Sequence, residues 1–311
     1  MLYSFCQQTE CTDGAIPYAP LILDNAGNIY GTTYQGGSAS FGTVFKVDTA
    51  GNETVLYGFD VGGGCYPYQG LVRDRGGNLY GTATWCGSST KGTIFKVGSA
   101  GNFTRLHSFR GKPSDGGHAE LGHLTMDKSG DLYGATLHGG AQGRGALYKV
   151  SKSGTLTLLH SFAGGTEDGC NPSGSVARDK AGNIYGTTSA CGSSGNGNVW
   201  KVSKKGKETI LHNFAGGTSD GCAPEAGVAR DSKGNLYGVA YGCGAYGYGA
   251  LYKLSAKGKL SLLHNFANSD GANPIGEVLR TSNGTLYGTT SWGGTSDCNG
   301  YGCGTVWKLT P

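Results

Sequence analysis

The sequence predicts an all-β fold, a six-bladed β-propeller of four-stranded blades in which residues 1–311 form a single domain. Three observations predict it. The stretch Gly182-Asn183-Ile184-Tyr185-Gly186-Thr187-Thr188 has close copies around Tyr30, Tyr80, Tyr133, Tyr237 and Tyr287, at a spacing near fifty residues, which is the scale of a propeller blade. Every copy is embedded in short segments of alternating apolar and polar residues, the period of a strand. No segment carries a helical period.

Within each unit the elements follow one order. A first segment reads Leu-x-x-Phe: Leu2–Phe5, Leu56–Phe59, Leu106–Phe109, Leu159–Phe162, Leu211–Phe214 and Leu263–Phe266. A glycine- and aspartate-rich loop leads to a second apolar segment such as 174–178. The hairpin Asp179-Lys180-Ala181-Gly182-Asn183 comes next, with relatives opening at Asp24, Asp74, Asp127, Asp231 and Thr281; aspartate at the start and glycine near the end suit a tight loop with a positive-φ position. The Ile-Tyr-Gly-Thr-Thr strand and a fourth strand, 197–202, complete the blade, and a second hairpin, 203–207, returns the chain to the next Leu-His-Asn-Phe. A parallel β-solenoid is the rival architecture, but its coils are shorter and seldom carry paired hairpins. At the ends, 304–309 supplies a third strand to the last blade and Leu2–Phe5 is an outer strand with no blade before it. Leu2–Phe5 is therefore expected to complete the last blade and close the ring, which leaves no raw sheet edge.

Units of the form D-x-x-G-N-[LI]-Y-G-T-T…G-T-[VI]-[FW]-K-[VL]…L-[HY]-x-F resemble the bacterial tandem repeats called GloVer, found in exported or surface proteins. The resemblance covers essentially the whole chain. It implies a propeller-type array and export, and it implies no defined activity or site residue.

Composition narrows the partners. Glycine, 60 residues, is far above the usual ~7% and lacks the three-residue period of collagen, so it belongs to turns and close packing. Charged residues are 15% and the net charge is +4. No run of lysine or arginine forms a phosphate-tracking surface, so nucleic acid is not an expected partner. No apolar stretch approaches ~18 residues, so no membrane insertion is expected. Met1 stands directly before the first repeat segment, and any export signal is expected to have been removed.

The ten cysteines point to an oxidising compartment, extracellular, periplasmic or at the cell surface. Cys65 with Cys86, Cys170 with Cys191 and Cys222 with Cys243 share one separation, and in the other units both positions change together, as in Ala15 with Gly36 and Ala272 with Gly293. In an antiparallel hairpin the start of one strand lies beside the end of the next, so each pair is expected to be a disulfide. Cys6–Cys11 with Cys298–Cys303 is the favoured arrangement of the rest, and pairing between the two loops is the alternative. Zinc needs four convergent ligands, which the separation of the blades denies, and no cofactor is expected. Calcium at Asp-Gly loops such as Asp168-Gly169, or another divalent metal, is the weaker alternative.

Positions present in every blade read as structural: the lysines Lys46, Lys96, Lys149, Lys201, Lys253 and Lys308, and the outer-strand His107, His160, His212 and His264. Positions where one blade departs are the candidates. Five blades carry proline before the inner strand (Pro17, Pro67, Pro172, Pro224, Pro274), and blade three is expected to carry Glu120 there. Blade three also holds His118, His123 and His138, three of the seven histidines. Imidazoles beside a carboxylate are able to bind a divalent metal or serve as acid and base, and a blade without its disulfide, filled by polar residues, is the plainer reading. Tyr18, Tyr34, Tyr66, Tyr68, Trp85, Tyr241, Tyr246, Tyr248, Trp292 and Tyr301 form an expected aromatic arc on the loop face. Such faces, with Glu225 and Glu277 beside them, suit sugar rings or extended peptides.

Three functional readings follow. The first is an exported propeller that binds a glycan or polysaccharide through Tyr18, Tyr66, Tyr68, Trp85, His138, Tyr241 and Trp292. The second is a polysaccharide hydrolase or lyase in which His118, Glu120, His123, Glu225 or Glu277 supplies acid, base or metal ligand. The third is a surface-display scaffold.

Overall fold

The computed structural model describes residues 1–113, 115–119, 122–295 and 302–310. The chain is an all-β, six-bladed propeller whose sheets follow one another along the sequence, each in simple neighbour-to-neighbour order. Two compact units divide it, Met1–Leu158 with blades one and two and most of blade three, and Leu159–Pro311 with the end of the blade-three outer strand Leu156–Ser161 and blades four to six. Blade one comprises Ile22–Leu23, Ile29–Thr33, Thr43–Val47 and Glu53–Gly58. Blade four has the longest pair, Gly169–Arg178 and Ile184–Cys191, followed by Asn198–Val202 and Glu208–Asn213.

A single carboxylate organises the repeated hairpin. Asp24 Oδ1 accepts the backbone N–H of Ala26 and of Asn28, both at 2.9 Å, while Oδ2 accepts Asn28 Nδ2 at 2.9 Å and the Tyr30 hydroxyl at 3.0 Å. The same set recurs in blade four, where Asp179 holds Asn183 and Tyr185. This network, led by the Asn28 amide, holds the Asp24 carboxyl down to about 2. Blade six, which has Thr281 here, replaces the carboxylate by hydroxyl and Asn283 amide contacts.

Glycine in the Tyr-Gly-Thr strand is explained by its cross-strand partner. Gly31 faces Phe45 in register, and a Cβ on Gly31 would lie 2.6 Å from the Phe45 ring. Gly186 and Trp200 repeat the arrangement. The ring occupies the space of the missing side chain, and the core fills from there: Phe45, Phe95, Tyr148, Trp200 and Tyr252 are almost fully buried.

Neighbouring blades are joined within each unit. In the first, the guanidinium of Arg73 lies 5.5 Å from the Tyr30 ring centroid, and the Thr32 hydroxyl donates to the Gln69 carbonyl at 3.2 Å. In the second, Arg230 covers Tyr185 at 5.3 Å and the Thr187 hydroxyl donates to the Ala226 carbonyl at 2.8 Å. Proline is the third joint: Pro67 Cδ lies 2.7 Å from where a Gly42 Cβ would stand, and Pro274 packs on Gly249 in the same way. The repeated lysines sit across from the tyrosines of their own blade, as Lys96 does over Tyr80 at 5.9 Å, in keeping with a packing role.

The last sheet has three strands, Leu279–Arg280, Leu286–Thr290 and Thr305–Leu309. Leu2–Phe5, expected as its fourth, lies in no assigned strand. Its side chains are held by blade one: the Tyr3 hydroxyl donates to Asp13 Oδ2 at 2.7 Å, and the Phe5 ring meets Phe45 edge-on at 4.7 Å. Val306 in this sheet is 82% exposed, whereas its counterparts Val44, Ile94, Leu147, Val199 and Leu251 are buried.

Candidate ligand-binding site

The outer-strand histidines have a structural partner that their spacing did not reveal. His107 Nε2 lies 2.8 Å from Asp115 Oδ2, His212 Nε2 3.1 Å from Asp220, and His264 Nε2 2.8 Å from Asp270. Each of these aspartates also accepts backbone N–H groups of its own loop, such as Ala215 to Asp220 at 2.9 Å. The Asp-Gly loops are thus pinned to the outer strand, and their carboxylates are occupied by imidazole or tyrosine rather than presented together. In blade two, Tyr57 instead stacks on Phe103 with centroids 3.9 Å apart.

One blade adds a third group. His160 Nε2 stands 3.3 Å from Asp168 Oδ2 and 3.4 Å from Glu208 Oε2, and one ligand atom from each residue lies within 4.8 Å of the others, so the trio is chemically able to hold a divalent cation. Burial pushes the Glu208 carboxyl up to about 7, with the Asp168 charge adding to the effect and His160 opposing it. Burial alone would lower His160, but the Asp168 hydrogen bond and the Glu208 charge outweigh it, so its proton affinity is raised. Both Glu208 and His160 therefore hold a proton more readily in the folded chain than in the unfolded one.

Disulfides join Cys65–Cys86, Cys170–Cys191 and Cys222–Cys243, with Cα separations of 5.3, 5.4 and 5.4 Å, and Cys6–Cys11 closes the first loop. Cys298 lies outside the described residues, so its pairing with Cys303 is not described. The second cysteine of each long pair has positive φ, 63° at Cys86 and 64° at Cys191, and glycine takes that place in the other blades: Gly36 at 79°, Gly139 at 88° and Gly293 at 78°. The alternation of cysteine with glycine is therefore a backbone requirement, because the left-handed region penalises most other residues.

The aromatic candidates divide. In the first unit Tyr18, Tyr34, Tyr66 and Tyr68 form one connected group: centroids are 5.2 Å apart for Tyr18–Tyr68, 5.8 Å for Tyr18–Tyr34, 5.0 Å for Tyr34–Tyr66 and 5.9 Å for Tyr34–Tyr68. Tyr66 has φ of 58° and donates its backbone N–H to the Phe41 carbonyl at 2.8 Å, which fixes where blade two presents the ring to blade one. Tyr18 and Tyr68 stay 59% and 40% exposed. In the second unit Tyr246, Tyr248 and Trp292 are exposed and Tyr241 is half-buried. Tyr301 lies outside the described residues.

Blade three brings His118 and His138 together. The two-residue strands Gly116–Gly117 and His138–Gly139 pair, with His138 opposite Gly117, so the imidazoles of His118 and His138 come to 5.7 Å between centroids. Trp85 closes on His118 edge-on at 4.2 Å. Burial, then the charges of Lys91 and His138, depress the proton affinity of His118. His123 is half-buried in the segment before the Thr125–Met126 strand. The pairing also corrects an expectation. Cys65 is opposite Trp85 and Gly117 opposite His138, so the counterpart of Pro67 is Ala119, not Glu120. Glu120 lies outside the described residues.

Glu277 Oε1 accepts the backbone N–H of Ser175 at 2.6 Å, where the blade-four strand slips register between Ser173 and Ala177. Glu225 is half-buried, and burial raises its carboxyl.

The sequence profile of the Gloeobacter/Verrucomicrobia repeat matches residues 1–200 and again 171–311. No curated protein sequence matches the chain. Among solved structures, virginiamycin B lyase from Staphylococcus aureus is similar over 99% of this chain and 86% of its own, at 13% identity and a TM-score of 0.61. A gluconolactonase from Xanthomonas campestris is similar over 91% and 84%, at 12% identity and a TM-score of 0.51. A Bacteroides uniformis protein assigned as a 6-phosphogluconolactonase is similar over 95% and 90%, at 14% identity and a TM-score of 0.58. At these identities the likeness is one of fold.

Proposed function

We propose that this chain, which belongs to the Gloeobacter/Verrucomicrobia repeat family, is an exported glycan-binding propeller whose contact surface is the tyrosine group of blades one and two. The observation that carries the reading is the connected set Tyr18–Tyr34–Tyr66–Tyr68, with its two outer rings left open to solvent. Aromatic faces backed by other rings keep a fixed orientation, and their hydroxyls supply hydrogen bonds at the rim of the stacked surface. A sugar ring presents the complementary pattern of C–H faces and hydroxyl edges. Four disulfides favour an oxidising compartment, outside the cell or in the periplasm. Among the described residues no helix is long and apolar enough to cross a membrane.

The test is retention of the oxidised protein on a panel of immobilised polysaccharides, with released reducing ends and unsaturated products measured in the same samples. Tyr18→Ala and Tyr68→Ala are expected to weaken retention about tenfold each, equivalent to about 1.4 kcal/mol. Retention unchanged in both variants would sink the reading. Product release would replace a binding module by an enzyme, and silence on every polysaccharide would favour a display scaffold.

A further inference from the structure

We infer that blade three carries a site for the carboxylate of an acidic sugar, a uronate unit, in the depression formed by Lys91, Arg110, Lys112, His118 and His138. This deepens the glycan reading and rests on it for the sugar chain beyond that unit. The depression has a volume of about 340 Å³, the small end of the range for small-molecule sites.

Charge is the first argument. Three permanent cations and two imidazoles line the depression, and its described lining residues include no carboxylate. Asp115, the acid of this loop, is buried and engaged elsewhere: it accepts His107 Nε2 at 2.8 Å and the backbone N–H groups of Arg110 and Gly111 at 2.7 and 2.9 Å. Like charges gathered in one concavity repel, and an anion relieves that repulsion.

The second argument is that several departures from the repeat converge there. Arg110 follows Phe109 where blades four, five and six have Ala163, Ala215 and Ala267. Lys91 precedes Gly92 where blades one, four and five have Phe41, Asn196 and Tyr248. His138 stands where blade two has Trp85, by their pairing with Gly117 and Cys65. The repeat alone needs none of these residues, yet three separate segments deliver them to one place. The His118 backbone N–H donates to the Lys91 carbonyl at 2.9 Å and fixes the two segments to each other.

The third argument selects a sugar acid. A guanidinium matches a carboxylate with two parallel hydrogen bonds. Trp85, 45% exposed and seated against His118 at 4.2 Å, offers an apolar face beside the charges. A uronate has both features on one ring, a C–H face and a carboxylate.

His118 reports occupancy. Its proton affinity is depressed by burial and by the charges of Lys91 and His138, with a counteracting hydrogen bond to the Thr84 backbone; Arg110 and Lys112 are the other charged groups among the described residues that line the depression. A bound carboxylate would raise it. The experiment follows the His118 ring by NMR as a function of pH in the full oxidised chain, with galacturonate, its neutral methyl ester, or inorganic phosphate. Galacturonate is expected to raise the His118 pKa and the ester to leave it unchanged. The double variant Arg110→Ala/Lys112→Ala is expected to lose about tenfold in galacturonate affinity, about 1.4 kcal/mol. Equal responses to acid and ester, or none to either, would overturn the site. A response to phosphate that galacturonate does not compete with would overturn the sugar assignment. Galacturonate binding that survives alongside unchanged retention in Tyr18→Ala and Tyr68→Ala would leave the pocket standing and remove the tyrosine surface. Loss of retention in those variants with no effect of acid over ester would do the reverse.

Discussion

The Tyr185 hydroxyl donates to Asp179 Oδ2 at 3.0 Å across a six-residue separation, and the same bond recurs between Tyr30 and Asp24, Tyr80 and Asp74, Tyr133 and Asp127, and Tyr237 and Asp231. A turn former and a core aromatic are thereby one unit: the carboxylate that closes the hairpin also satisfies the one polar atom of a largely buried ring.

Tyr185→Phe should cost about 1 kcal/mol of stability, the net worth of one such hydrogen bond. Asp179→Ala should cost more, because it also strips the Asn183 backbone and side-chain contacts. Urea unfolding of the two variants checks the order.

Acid should unfold the protein through these same aspartates. Their carboxyls are held below the ordinary value, Asp24 at about 2, and Asp74, Asp179 and Asp231 also lowered. A lowered folded-state pKa contributes stability that is present above the unfolded value and lost as pH falls through the folded one. Melting temperature should therefore drop steeply below about pH 4, with Asp179→Asn showing a shallower decline.

The opposite slope is expected near neutrality from Glu208 and His160. Both are raised in the folded chain, so their contribution is present at low pH and lost as pH rises through about 7. Glu208→Leu, which copies Leu156 and Leu260 at the matching positions of blades three and five, should flatten this decline and stabilise the protein at about pH 8 by ~1 kcal/mol. A melting series across neutral pH checks it.

Cys65→Ala with Cys86→Gly reproduces the pairing that blade one already has in Ala15 and Gly36. The loop closed by this bridge spans a separation of 21 residues, for which chain entropy gives up to about 3 kcal/mol. The fold should be retained. Cys86→Ala with Cys65→Ala should cost about 1 kcal/mol more, because alanine resists the left-handed backbone at that position. Denaturant midpoints of the two double variants decide the matter.

Gly186→Ala should be among the most damaging single changes in the chain. A Cβ there would run into the buried Trp200 indole, and an overpacked core forces off-rotamer side chains at a cost of about 1–3 kcal/mol. Soluble yield and melting temperature are the readouts.

Much of this was legible in the residues themselves. Six copies of one pattern averaged out the ambiguity of any single short strand, so hairpins, blade count and the three long disulfides could be placed by alignment of units. The residue facing proline in blade three could not: the loop there differs in composition from its relatives, and only the pairing of His138 with Gly117 showed that Ala119 holds the place. The His–Asp staples escaped for another reason. Their partners are eight residues apart across a loop in three of the four blades, a separation that no strand or turn period singles out.

The local chemistry that repeats was set within single units: alternation, turn residues, and cysteine or glycine at one left-handed position, that of Cys86 and Gly36. Those choices depend on neighbours a few residues away, so the chain carries them in its own order. Tertiary structure alone decided which singular side chains meet: Tyr18 with Tyr68, Trp85 with His118, Arg73 with Tyr30. Each of these pairs joins different blades, and which residues of two blades face each other is set by how sheet packs on sheet, a relation between surfaces that no periodicity along one strand encodes.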